Sequence, residues 1–272
     1  MIFSQFLDRG SLRNFEIISL LFLAGSSVVL IALQEKPLGW MLFAVGLTSL
    51  YFARENFAKH LFLIYLSLGL LGLTQITTDI SYIHMTTMAM TLGLAVLIPY
   101  IVSKYLYKDA VVQFRFHHGR KWYRKEFVYI GVTAILAYFI IPFYLSNTAA
   151  YLNWVVDPGV SNIIRLFIGT NALGIWDELF FISVVLGILR VYLPFAWANL
   201  LQAILFTSFL YELGFTGWGF IMIFIFALIQ GYIFKSTDSL FYVITIHLTL
   251  DFILFLALIH AYHPAWIPIF II

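Results

Sequence analysis

The 272-residue chain contains no cysteine, and only 10% of its residues are charged. Without cysteine there is no disulfide, no thiolate nucleophile and no thiolate metal site. Soluble domains carry about a quarter charged residues. The polar side chains needed to coat a water-facing surface are therefore missing, which excludes a soluble enzyme. A net charge of +2 over this length leaves no basic face large enough to neutralise many phosphates, so nucleic acid is excluded as a partner. Apolar side chains are what the chain has: 62% of residues are hydrophobic, 19% are aromatic and the mean hydropathy is +0.97. The composition is that of an integral membrane protein whose first partner is the lipid bilayer.

Only helices or closed barrels satisfy their backbone groups in hydrocarbon, and a helix needs about 20 apolar residues to cross. The apolar runs here are continuous rather than alternating, which predicts an all-α polytopic fold. Nine helices are expected, over 17–33, 38–52, 61–76, 84–102, 127–145, 163–193, 195–213, 218–234 and 240–262, the second and third being short. Asp8, Arg9, Arg13 and Glu16 precede the first, which lacks a small-residue cleavage site and reads as a span rather than a removable signal. With a cytoplasmic N-terminus, nine crossings put 13 of the 15 Lys and Arg residues on the cytoplasmic side and leave only Lys36 and Arg165 outside. That asymmetry obeys the positive-inside rule, and removing any one helix would scramble it. The expected organisation is a four-helix N-terminal membrane region over 1–107, a basic cytoplasmic loop over 108–126 and a five-helix core over 127–272. The loop's run from Arg115 to Lys125 reads as a topology determinant or an anionic-lipid contact, and His117 and His118 in it have no acidic or thiol neighbour to complete a metal site. Trp40, Tyr51, Tyr82, Tyr107, Trp122, Trp154, Trp218 and Tyr262 lie near helix ends and read as interfacial anchors.

Ionisable residues inside spans are costly and mark function. The first five helices carry almost none, whereas the last four hold Asp177, Glu178, Glu212, His247 and Asp251. His247 and Asp251 are four apart and share one helical face. Asp177 and Glu178 are adjacent, about 100° apart around their helix, so only one of them can point straight into a given site. The run 163–193 is about 31 residues, or some 46 Å at 1.5 Å per residue, longer than a straight span and expected to tilt or break near Gly169, Thr170 and Gly174. On rise alone, the two sets of residues meet in the inner half of the bilayer. A neutral imidazole beside carboxylates can activate water or hold a metal. The same residues also suit a polar network that locks helix packing, with Arg190 or Lys235 as counter-charge, or a proton-coupled transporter.

At these positions the C-terminal half resembles the CPBP family of intramembrane proteins, also called the CAAX protease and bacteriocin-processing, or ABI, family. The family's EExxxR motif reads Asp177, Glu178, Leu179, Phe180, Phe181, Ile182 here; its FxxxH motif reads Phe206, Thr207, Ser208, Phe209, Leu210; and its HxxxN or HxxxD motif is matched in full by His247 and Asp251. The stretch from Gly231 to Leu240 is similar to the short turn before the family's last core helix, and the resemblance covers about 162–258. It implies a multi-pass protein of a bacterial inner (plasma) membrane. It also implies an intramembrane endopeptidase site in which Asp177, Glu178, His247 and Asp251 activate water, with or without a divalent metal such as zinc held by Glu178 and His247. The substrate would be a membrane peptide. Two motif positions depart: Leu210 stands where the second motif has its histidine, and Ile182 where the first has its arginine. Glu212, just beyond Leu210, is the nearest carboxylate that could substitute, but it lies at a helix end. The departures imply a divergent or inactive peptidase that acts as a membrane scaffold or partner-binding subunit, with an active endopeptidase as the alternative.

Overall fold

The computed structural model describes residues 12–116 and 121–270; His117, His118 and the rest of 117–120 lie outside it. The described residues form nine helices and no strand: α1 (Asn14–Ala32), α2 (Lys36–Ser49), α3 (Glu55–Leu73), α4 (Tyr82–Tyr107), α5 (Arg124–Thr148), α6 (Val160–Tyr192), α7 (Phe195–Glu212), α8 (Gly219–Thr237) and α9 (Leu240–Tyr262). Side chains close the polar ends. Ser81 Oγ accepts from the His84 amide and Ser239 Oγ from the Tyr242 amide, while Glu16 and Glu126 turn back to accept from the amides of Arg13 and Tyr123.

Nine helices therefore lie where the apolar runs place them, and the chain is an all-α, multi-pass membrane protein. Seven of the nine are long and apolar enough to cross a bilayer; α2, whose run reads as short, and α7 are not, while α3, also expected to be short, is. α2 has only 14 residues. α7 carries Asn199, Gln202 and Glu212, and it packs against α1, α6 and α8, so much of its surface meets protein rather than lipid. The third helix is longer than expected because it begins at Glu55, ahead of the polar residues Lys59 and His60. Trp154 is not a surface anchor: it is buried against Phe215.

Alternating helix directions bring the basic ends together. At that face Arg54 pairs with Glu16 at 2.6 Å, joining the starts of α3 and α1, and Arg115 pairs with Asp238 at 2.9 Å. Here too His60 Nε2 lies 2.6 Å from Asp109 Oδ2, while its Nδ1 meets the Tyr192 hydroxyl at 2.5 Å. This chain of contacts ties α3, the segment after α4 and the end of α6 to one another. The opposite face is held by weaker polar contacts, such as Lys36 Nζ donating to the Gly72 carbonyl and Tyr82 meeting Ser161. The buried apolar core is continuous from α1 and α3 into α6, α7 and α8, and a second cluster packs α5 against α9.

Glu16 is fully buried, so its charge depends on Arg54. Replacing one partner of a buried pair leaves an uncompensated charge, at a cost of about 3–5 kcal/mol. Arg54→Met should therefore lower the thermal midpoint in detergent, and adding Glu16→Gln to it should recover most of the loss. Equal midpoints for Arg54→Met and wild type would show the pair to be dispensable.

Candidate functional site

Asp177, Glu178, His247 and Asp251 do meet. The length of α6 calls for a tilt or a break near Gly169, Thr170 and Gly174, and no break falls there. α6 stays α-helical through Asp177 and then widens into a π-helical segment, Glu178–Leu186. Such segments add a residue per turn and recur at functional sites. Here the change falls between the two acids. Asp177 lines a cavity, whereas Glu178 is completely buried away from it.

His247 Nδ1 lies 2.8 Å from Glu178 Oε1, and the same oxygen accepts from Gln230 Nε2 at 2.8 Å. Gln230 Nε2 also donates to the Val243 carbonyl at 3.0 Å, which fixes α8 against α9. With Nδ1 donating to Glu178, the imidazole presents Nε2 to the other two acids. Asp177 Oδ2 and Asp251 Oδ1 are each 3.8 Å from it, too long for direct hydrogen bonds. Phe206 and Phe226 flank the ring with centroids 5.9 and 5.1 Å away. His247 and Asp251 thus share a face, as their spacing requires, but the bonded partner of the imidazole is Glu178.

The cavity has a volume of about 640 Å³ and is bounded by α4, α5, α6, α7, α8 and α9. Asp177, His247 and Asp251 are in its wall, and so is Leu210, at the position where the second motif calls for histidine. Most of the remaining wall is apolar, including Met88, Leu92, Ile141, Leu173, Ile223 and Leu254. Glu212 ends α7 and is not part of the wall, so it does not replace the missing imidazole. Ile182 is fully buried in the core. Arg190 and Lys235 are not counter-charges to the acids; both lie over the Phe195 ring at the basic face.

Among the described residues, no group of three or more His, Asp and Glu side chains is arranged to hold a metal ion. Glu178 and His247 bond directly to each other, so the pair does not fit a shared divalent ion such as zinc. The arrangement is instead an anchored imidazole with two carboxyl groups near its free nitrogen. Asp177 Oδ1 and Asp251 Oδ2 are buried without a hydrogen-bond partner among the described residues, as are Glu178 Oε2, Gln230 Oε1, Ser183 Oγ, Asn199 Oδ1 and both polar atoms of Gln202. Each unsatisfied group costs about 1–3 kcal/mol. A search confined to ionisable residues passes over Gln230, Gln202 and Asn199. The signal for them is an amide within an otherwise apolar helix.

Gly174 sets the depth at which α9 meets α6. A Cβ there would overlap Asp251 Oδ2 and come within 3.1 Å of His247 Cδ2, whereas one at Gly169, a turn and a half earlier, would find its nearest neighbour, Met85 Cε, at 4.0 Å. Overpacking a tight contact costs about 1–3 kcal/mol, and relieving a helical glycine gains about 0.5–1 kcal/mol. Gly174→Ala should accordingly lower the thermal midpoint while Gly169→Ala leaves it unchanged or raises it. If the two variants melt alike, the contact at Gly174 does not set the packing.

No curated protein and no solved structure matches the chain. A family model does, over residues 159–253, a segment that contains Asp177, Glu178, Leu210, His247 and Asp251 and runs from the start of α6 into α9. The family is described as Type II CAAX prenyl endopeptidase Rce1-like, and the segment that is similar to it makes up about a third of the chain.

Proposed function

We propose that the protein is an inactive or strongly attenuated Rce1-like peptidase that serves as a membrane scaffold, holding an apolar peptide segment of a membrane partner in its cavity. The observation that carries this reading is the wall of the cavity at Leu210. A leucine there neither accepts a proton nor polarises a carbonyl, and it extends the apolar surface up to the acid–imidazole cluster. A volume of about 640 Å³ is in the range of pockets that enclose an organic ligand. Asp177, His247 and Asp251 then serve as the polar end of the binding site. A bacterial inner membrane is the proposed location.

A second reading, residual endopeptidase activity, is favoured by one specific feature: Asp177 Oδ1 and Asp251 Oδ2 are buried without partners in a cluster that lines the cavity. In that reaction Asp177 takes a proton from water, the water oxygen bonds to the peptide carbonyl carbon, and the C–N bond breaks as the amide nitrogen receives the proton. His247, oriented by Glu178, steadies the carbonyl oxygen through Nε2. Loss of one preorganised group from such a site lowers the rate by about 10²- to 10³-fold.

The test uses the full chain in lipid nanodiscs, incubated with apolar membrane peptides and followed by mass spectrometry. Binding without cleavage is expected. A Cβ on Gly93, in the cavity wall, meets nothing within 4 Å, so a large side chain can enter the space without disturbing the backbone. Gly93→Phe should weaken peptide binding about tenfold, the equivalent of about 1.4 kcal/mol. Peptide products that form with wild type and vanish with both Asp177→Ala and His247→Ala would overturn the scaffold reading in favour of hydrolysis.

A further inference from the structure

The cavity accounts for one side of His247, but the other side is also polar. Glu178, Ser183, Asn199, Gln202 and Gln230 are all buried, and none of them lines the cavity. They hold six of the ten buried side-chain atoms that lack a partner among the described residues. We infer that they form a second, enclosed compartment occupied by water, which joins the Glu178–His247 pair to the basic face of the protein.

Helix geometry puts these groups in one layer. At 1.5 Å per residue, Gln202 lies about 10 Å from the start of α7, Gln230 about 10 Å from the end of α8 and His247 about 10 Å from the start of α9, and all three of those ends are at the basic face. Ser183, nine residues before the end of α6, lies at a similar depth in the π-helical segment. α7 packs on both α8 and this segment, and α8 and α9 pack on it and on each other, so the layer is enclosed by mutually contacting helices. Asn199 is one turn nearer the basic face than Gln202. A Cβ on Gly231 would overlap its Oδ1, and its Nδ2 donates to the Leu228 carbonyl at 2.9 Å.

The chemistry of the set selects the occupant. Glu178 Oε2, Gln230 Oε1, Gln202 Oε1 and Asn199 Oδ1 accept, Gln202 Nε2 donates, and Ser183 Oγ does either. A cation leaves the Gln202 amide N–H without a partner, and an anion is repelled by the carbonyl and carboxylate oxygens. Water satisfies both kinds, and buried waters commonly make about three such bonds. The inference stands whatever fills the cavity on the other side of the imidazole.

Water-edited solid-state NMR of the isotopically labelled full chain in lipid bilayers tests it, with water itself as the probe. Magnetisation from water should reach the side-chain amides of Gln202 and Gln230 at mixing times that also polarise loop amides, while the Phe181 and Phe206 rings remain dark. Gln202→Leu should reduce transfer to the Gln230 side-chain amide and to His247 Nδ1 about fivefold. Dry Gln202 and Gln230 amides in the wild type would overturn the inference, and that measurement does not depend on the variant folding. So would unchanged transfer in a folded Gln202→Leu protein.

Discussion

The bond between Glu178 and His247 is the constraint around which the C-terminal half is organised. A carboxyl group and an imidazole buried among apolar helices have few other groups to satisfy them, and each must be positioned by the helix that carries it. α6 meets that demand by changing pitch at Glu178, so one acid turns toward Gln230 and His247 while its neighbour Asp177 keeps the cavity face. α9 can approach closely enough only because residue 174 lacks a side chain. α8 contributes Gln230, which binds the carboxylate and the α9 backbone with one amide. Three helices are thus registered by a single hydrogen-bonded pair and the groups that serve it.

The N-terminal helices are joined to this core by a different device. Their apolar surfaces merge into the same buried cluster, which has little directional preference, and the register comes from polar groups at the basic face. His60, Asp109 and Tyr192 link α3 to α6, and the bonds of Asp109 Oδ1 with Ser103 Oγ and the Val111 amide shape the segment after α4. Polar contacts at the ends can be made and broken in contact with interfacial water, so they cost less than the same groups at mid-depth. This explains why the arginine–carboxylate pairs cluster at the face, while the three interior acids are met by amides and a single imidazole.

The helix bodies and the meeting of the four motif residues were legible because both depend on composition and spacing. Continuous apolar runs located nine helices, and the four-residue step from His247 to Asp251 fixed their common face. What escaped depends on contacts between distant segments. The polar side chains of Glu55, Lys59 and His60 interrupt an apolar run and hide the first turn of α3, which the structure completes by placing them at the surface and in the His60–Asp109 pair. A glycine cluster looked like the weak point of α6, but Gly174 is a close-approach site and the helix changes pitch four residues later. Gln202 and Gln230 carry no charge, and their importance follows only from where their neighbours lie.

Leu210 has a consequence that goes beyond the loss of one side chain. With one imidazole in the site, anchored through Nδ1 to Glu178, both proton transfer and stabilisation of a developing oxyanion must use Nε2. The first needs that nitrogen unprotonated and the second needs it protonated. Two histidines can divide these roles; one cannot hold both at the same instant. Hydrolysis would then require Asp177 or Asp251 to take over as base, at oxygens that stand 3.8 Å from the imidazole in a largely apolar cavity. A binding site asks less of the same residues: a neutral, hydrogen-bonded end to an apolar cavity, held in place by Glu178 from behind. On the proposed reading, the leucine that leaves the site with one imidazole also completes the apolar wall, and both effects favour retention of a membrane segment over its cleavage.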